Sequence, residues 1–360
     1  MRIAQIASLF ERVPPKRYGG TERFVSLLTE ELVNRGHKVT LFASGDSITN
    51  AKLIPVNPHS LRESHILDTN PYTVLATAMA YKNADKFDII HNNTYPDYVA
   101  FPAAYSSTTP TVTTLHTPFN IENTRLFEAY KDLNFVPISN NQRRSLPGLN
   151  YTRTIYHGVP VNKFPFKKTH GNYLLYVGRI ALIKGTHFAI DVAEALNKEL
   201  IIAAKLDPQD IEYFNRFVGS RLSNGRIKWV GEVTDEERNN LMANALCLLH
   251  PITWKEPFGL TLIESMACGT PVVAFRKGSI PEIIIDKKTG FIVETENEMI
   301  RAVKKISSIS RSECRKHVRD NFNLKKMVDA YEKLYYEIVN GKKNTPTAQV
   351  STRRGSKTPT

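Results

Sequence analysis

The chain has 360 residues, long enough to bury the cores of two domains, and its 41% apolar and 23% charged residues are those of a globular protein. The formal charge is +13, which favours anionic partners such as phosphorylated ligands, an anionic membrane surface or nucleic acid. Lys342, Lys343, Arg353, Arg354 and Lys357 contribute five of those charges without an acid among residues 341–360, leaving about +8 for the rest. That Ser/Thr/Pro/Lys stretch has almost no apolar periodicity, so a disordered basic tail is expected over 341–360. The start, Met1 to Ala7, is too short and interrupted for a signal peptide, and no apolar run approaches the ~18 residues of a membrane span. Cys247, Cys268 and Cys314 are odd in number, scattered and without metal-ligand spacing, which fits a reducing cytosol.

Residues 2–8 predict a short strand. A glycine turn, Arg17-Tyr18-Gly19-Gly20-Thr21-Glu22, precedes an amphipathic helix with Phe24, Leu27, Leu28 and Leu32 on one face, ended by Arg35-Gly36. His37–Ala43 predicts a second strand, completing one βαβ unit of a parallel sheet. Apolar runs at 89–91, 111–116 and 135–139 extend it, with a helix over 72–81. Pro and Lys enrichment near 158–170 marks a linker. A second α/β series follows, with strands expected at 173–177, 200–203, 227–230, 246–250 and 271–275 and a helix over 325–338. Two doubly wound α/β domains place a ligand cleft between them, at the C-terminal ends of their strands.

The stretch Trp254 to Gly269 carries the densest chemistry. Pro257 suits a first helical position and Gly269-Thr270-Pro271 a helix stop. On that reading the N–H groups of Phe258, Gly259 and Leu260 project from a helix N-terminus, where partial positive charge favours an anion. Glu264 lies four residues past Leu260, roughly 6 Å along the axis, and Glu256 lies just before the helix. Two carboxylates flanking an anion hole suit a ligand with hydroxyls at both ends, such as a nucleotide sugar; they also suit an ordinary surface helix. Arg179 and Lys184, in the turn after the strand at 173–177, are either a diphosphate clamp or a solvated basic loop. The turn is no Walker A loop, and the dinucleotide Gly-x-Gly-x-x-Gly pattern is missing. Gly19 and Gly20 can bring backbone N–H groups against a phosphate or sugar, or only make a tight turn. His116 and His91 end strands and either face the cleft or are structural. His157 either lines the cleft floor or forms the turn with Gly158. Lys205 either adds a cation near the nucleotide or faces solvent. Gly231, at a strand end beside Val233, could let backbone reach a nucleobase, and Pro281-Glu282 reads as an ordinary helix start packed near the site.

Taken together these motifs resemble the retaining GT-B glycosyltransferases of family 4, over nearly the whole chain to about residue 340. The most specific is Glu256-x7-Glu264 within Glu-Pro-Phe-Gly-Leu-Thr-Leu-Ile-Glu-Ser-Met-Ala-Cys-Gly; the next are Gly178-Arg179-x4-Lys184-Gly185 and Gly19-Gly20-Thr21-Glu22. The resemblance implies a Rossmann-like acceptor domain over 1–162, a Rossmann-like nucleotide-sugar donor domain over 163–320, and a helix over 321–340 packing back on the first. It further implies Arg179 and Lys184 on the diphosphate, Glu264 on the ribose, Glu256 on the transferred sugar, backbone N–H groups from Phe258, Gly259 and Leu260, His116 near the anomeric centre and Gly20 near the phosphates. The implied reaction moves a hexose from a UDP- or GDP-sugar to a glycan, lipid-linked or small-molecule acceptor by front-face attack, without a metal. The implied place is the cytoplasm or the inner face of its membrane, and no nucleic acid is expected. His157-Gly158-Val159 departs from the family's usual Asn-Gly-Val. A nucleotide-sugar 2-epimerase on the same fold, or a non-catalytic basic binding module, are the competing readings.

Overall fold

A computed structural model describes residues 1–343. The expected tail lies outside the described residues from 344 onward. Its first three residues instead complete the last helix, Leu324–Lys343, which runs three residues past the expected end at 340.

Two six-stranded parallel sheets organise the fold. The first holds β1 (Arg2–Ile6), β2 (Lys38–Ala43), β3 (Lys52–Pro55), β4 (Ile89–Asn92), β5 (Thr111–Leu115) and β6 (Asn134–Pro137), in the order β3-β2-β1-β4-β5-β6. The second holds β7 (Leu174–Arg179), β8 (Leu200–Lys205), β9 (Ile227–Gly231), β10 (Cys247–His250), β11 (Val272–Phe275) and β12 (Gly290–Val293), in the order β12-β11-β10-β7-β8-β9. In each, the chain enters mid-sheet, winds to one edge and returns to wind to the other. The order therefore reverses between β1 and β4 and again between β7 and β10, and a crevice opens at the strand ends beside each reversal. The central strands β4, β10 and β11 are buried throughout, as parallel strands covered on both faces must be. The edge strands β3 and β12, four residues each and only partly buried, were not expected from the sequence.

The last helix returns the chain to the first sheet. Met327, Tyr331, Leu334 and Tyr335 join Phe24, Leu28 and Val112 in one core cluster, and a buried Leu or Met contributes about 1.5–3 kcal/mol. The Tyr335 hydroxyl lies 2.6 Å from His91 Nδ1, while His91 Nε2 lies 2.7 Å from the Thr114 hydroxyl. Both nitrogens of His91 are thus committed to packing, which settles it as structural. Between the sheets the chain crosses twice, side by side: Val159 N–H donates to the Phe322 carbonyl at 2.9 Å and Leu324 N–H to the Val159 carbonyl at 3.0 Å. A Cβ on Gly158 would stand 2.4 Å from the Asn323 carbonyl oxygen, so the crossing demands glycine there.

Candidate active site

The acidic loop-helix element faces the crevice of the second sheet. Its helix is Leu260–Ala267, not one begun at Pro257. Gly259, at φ 94°, takes a left-handed conformation as N-cap and breaks any continuation from Pro257. The N–H of Phe258 therefore lies outside the helix, and Leu260 and Thr261 head it; this corrects the expected set of helical donors. Phe258 is buried, and its carbonyl accepts from the Ser279 hydroxyl at 2.7 Å. Gly278, at φ 56°, lies where a Cβ would meet the Glu256 carbonyl oxygen at 2.3 Å, so this second loop braces the first. At the far end Gly269, at φ 86°, completes a Schellman stop, with Thr270 N–H on the Ser265 carbonyl and Gly269 N–H on the Met266 carbonyl, both at 2.9 Å.

Across the strand reversal, Lys184 Nζ lies 2.8 Å from Glu256 Oε2, which also accepts from Trp254 Nε1 at 2.8 Å. The Lys184 ammonium stands 4.5 Å from the centre of the Trp254 ring. Burial works against the Glu256 charge, but the Lys184 ammonium and the hydrogen bonds from Lys184 and Trp254 hold its carboxyl below the usual range. Arg179, the last residue of β7, pairs with Asp207 at 3.6 Å and Asp210 at 3.2 Å. Lys205, buried at the end of β8, pairs with Asp207 at 3.1 Å and lies 4.3 Å from the centre of the Tyr18 ring. Burial lowers the Lys205 pKa. The basic turn of Arg179 and Lys184 thus belongs, with Lys205, to a balanced network in which each of the three cations meets a carboxylate. Lys205 faces the cleft, not solvent.

The first domain closes directly onto this surface. Gly19 adopts φ 153° against Pro15, and Gly20 opens the helix Gly20–Asn34, so the expected turn ends earlier than read. A Cβ on Gly20 would lie 3.5 Å from Leu260 Cδ1, which places the glycine pair opposite the head of the acidic helix. Tyr18 N–H donates to Glu232 at 3.1 Å. Gly231, at φ 74°, turns β9 into Glu232 and the partly buried Val233, with no heavy atom within 4 Å of its Cβ position. Glu264, 2% exposed, meets Arg238 at 3.3 Å and Arg23 at 3.7 Å.

His116 follows β5 with Nε2 3.0 Å from Asn93 Oδ1, and its ring stacks on His157 at 5.7 Å. His157 is itself buried, its ring centre 5.0 Å from that of the buried Phe258. Two roles escaped the sequence reading. Glu282 is no plain helix start: it accepts from the Asn140 and Asn141 N–H groups at 2.8 and 2.7 Å and from the Tyr156 hydroxyl at 2.7 Å. It thereby ties the second domain to the helix Asn140–Ser145 of the first. His250 ends β10 near Glu256 with Nε2 buried and without a hydrogen-bond partner; its position at a strand end, like that of His91 and His116, was the available signal.

Two family models divide the chain between them. Glycosyltransferase Family 4 matches residues 18–163 and Glycosyl transferases group 1 matches residues 161–325. The chain belongs to the family 4, group 1 glycosyltransferases. It is 24% identical over 340 residues to an uncharacterized glycosyltransferase of Methanocaldococcus jannaschii, covering 81% of this chain and 86% of that one. It is 32% identical over 127 residues to the N-acetyl-alpha-D-glucosaminyl L-malate synthase of Bacillus anthracis, 33% of this chain and 32% of that one. Among solved structures it resembles sucrose-phosphate synthase from Thermosynechococcus elongatus, with a TM-score of 0.80 and 19% identity over 95% of this chain and 100% of that one. It also resembles Anabaena HepE in complex with UDP-glucose, with a TM-score of 0.75 and 18% identity over 94% and 100%. Family membership sets aside the non-catalytic basic module.

The glycosyltransferase holds a cavity of about 360 Å³, lined by Phe119, Asn120 and Thr124 of the first domain and by Lys255 and Pro257 of the second. Among the described residues, no helix is long and apolar enough to cross a membrane. Asp46, His59 and Glu63 bring ligand atoms within 4.8 Å of one another, His59 and Glu63 being exposed and Glu63 paired with Lys16.

Burial holds four histidines of this transferase neutral: His116 is pushed down to about 3, His250 to about 4, and His91 and His157 well below the usual value. Their folded pKa values lie below the unfolded value of about 6.5, so the unfolded chain binds more protons on acidification. The histidines' contribution to stability is expected to fall from about pH 6.5 toward pH 4, by up to about 1.4 kcal/mol per pH unit each, against an opposite contribution from the Glu11 and Asp97 carboxyls, which burial raises to about 7. Urea midpoints at pH 7 and pH 5 for the wild type and a His91→Gln variant isolate one histidine: the wild type should lose more stability on acidification than the variant, and an identical change in both would refute it.

Proposed function

We propose that the chain transfers a hexosyl group from a UDP- or GDP-sugar, with retention, to a glycan, lipid-linked or small-molecule acceptor, without a metal. The observation that carries this reading is the Lys184–Glu256 pair, 2.8 Å apart at the strand reversal, with Glu264 one helix away. In the reaction the bond from anomeric carbon to β-phosphate oxygen breaks, and the acceptor oxygen bonds to that carbon on the same face. The acceptor's proton passes to the leaving phosphate oxygen. Arg179 and Lys184 meet the charge that develops on the diphosphate, with the N–H groups of Gly259 and Leu260 beside them. As Lys184 turns to the phosphate, Glu256 accepts hydroxyls of the transferred sugar. Glu264 accepts the ribose hydroxyls, Lys205 adds charge near the nucleotide, and the Gly231–Val233 backbone flanks the base. Gly19 and Gly20 give the phosphates close approach. His116, neutral throughout the physiological range, is a hydrogen-bonding group near the anomeric carbon and not a charged one. The cavity holding Lys255 takes the acceptor, and the basic excess favours contact with the inner face of an anionic membrane. The UDP-glucose bound to HepE supports a nucleotide-sugar donor.

The test incubates the protein with UDP-, GDP- and ADP-hexoses and measures released nucleoside diphosphate, with and without EDTA. Release from a UDP- or GDP-hexose that EDTA leaves unchanged is expected. Loss of release in EDTA would remove the metal-free clause, and no release from any donor would overturn the reading.

A further inference from the structure

Glu264 is held by both domains. Arg238, on the helix Asp235–Asn244, approaches it at 3.3 Å, and Arg23, on the first domain's helix Gly20–Asn34, at 3.7 Å. The nearest approach of each guanidinium is to the same oxygen, Oε1, which leaves Oε2 farther from both cations. Asp235 completes the group: it pairs with Arg238 at 2.9 Å and with Arg23 in a shorter contact. Arg23 also donates to the Arg17 carbonyl at 2.8 Å, which ties it to the glycine loop. The side chains of Glu264, Arg238 and Arg23 are 3%, 10% and 11% exposed, so these contacts are little screened by solvent.

Two cations on one carboxylate oxygen fix the plane of the carboxylate and determine which oxygen can accept from a ligand. We propose that Arg23 is a positioning residue for ribose recognition: from the first domain it orients Glu264 so that Oε2 receives the ribose hydroxyls, making nucleotide affinity depend on closure of the two domains. The inference rests on the reading of Glu264 as the ribose acceptor. A carboxylate left to one arginine samples more orientations, so its hydrogen bond to a hydroxyl loses alignment, and hydrogen bonds weaken steeply as alignment is lost. Because Arg23 belongs to the other domain, that alignment exists only in the closed arrangement, and binding energy at the ribose is thereby coupled to closure.

The experiment compares UDP with 2′-deoxy-UDP, and GDP with 2′-deoxy-GDP, by calorimetry on the wild type, Arg23→Gln and Glu264→Gln. A charge-assisted hydrogen bond to the 2′-hydroxyl makes the ribonucleotide bind about tenfold or more tightly to the wild type. Glu264→Gln is expected to reduce that ratio to near one, and Arg23→Gln to about two- to threefold. A residue that merely joined the domains would weaken both nucleotides equally and preserve the ratio; that result would overturn the role of Arg23 while the role of Glu264 stood. A wild type that bound both nucleotides equally well would overturn the ribose reading and this inference with it. Should Arg23→Gln fail to fold, Asp235→Asn loosens Arg23 without removing it, and an unchanged ratio in that variant counts equally against the proposal.

Discussion

Replacing Arg179 and Lys184 together by alanine is expected to slow turnover by about 10³-fold or more, since removing even one preorganised group that meets developing charge costs about 10²–10³. The balanced network sharpens the expectation. Without Lys184, Glu256 keeps its burial but loses the cation that holds its carboxyl below the usual range, so it should take up a proton more readily. Without Arg179, Asp207 and Asp210 face a single remaining cation, Lys205. The variant should therefore lose leaving-group stabilisation and repel the diphosphate as well. Single-turnover rates at saturating donor separate these effects, because repulsion raises KM whereas lost stabilisation lowers kcat. A wild-type single-turnover rate in the double variant would end the proposed role of these cations.

Glu264→Ala is expected to lower nucleotide affinity by about 10²-fold and to destabilise the fold by about 3–5 kcal/mol. The first effect follows from losing charge-assisted hydrogen bonds. The second follows because Arg23 and Arg238, almost buried, are left with one acid, Asp235, between them. Glu264→Gln keeps the shape and an acceptor oxygen, so it should recover part of the stability and little of the affinity. Calorimetry with UDP and urea unfolding measure the two quantities independently. Unchanged nucleotide affinity in Glu264→Ala would exclude the ribose role, whatever happened to stability.

The local code of this chain is unusually readable at its strands. Runs such as Leu248-Leu249 and Val272-Val273 lie in strands covered on both faces, where almost every position must be apolar, so composition alone marks them. Glycines were legible for a related reason: Gly259, Gly269 and Gly231 all adopt positive φ, which few other residues tolerate. The reading failed where two local signals competed. Pro257 is acceptable at a helix start, but Gly259, two residues on, resets the backbone, and the helix begins only at Leu260.

The sequence by itself determined the two doubly wound sheets, the cleft between them and the identities of the charged groups that reach it. Those follow from periodicity and from residues that only certain backbone shapes accept, both properties of short stretches. Only the tertiary structure decided how the charges are spent: Lys184 on Glu256, Arg179 on two aspartates, Glu264 between arginines from different domains, and Glu282 on two backbone N–H groups 142 and 141 residues away. Ion pairs and hydrogen bonds act over a few ångströms in space, and sequence separation carries no trace of which groups the fold will bring that close.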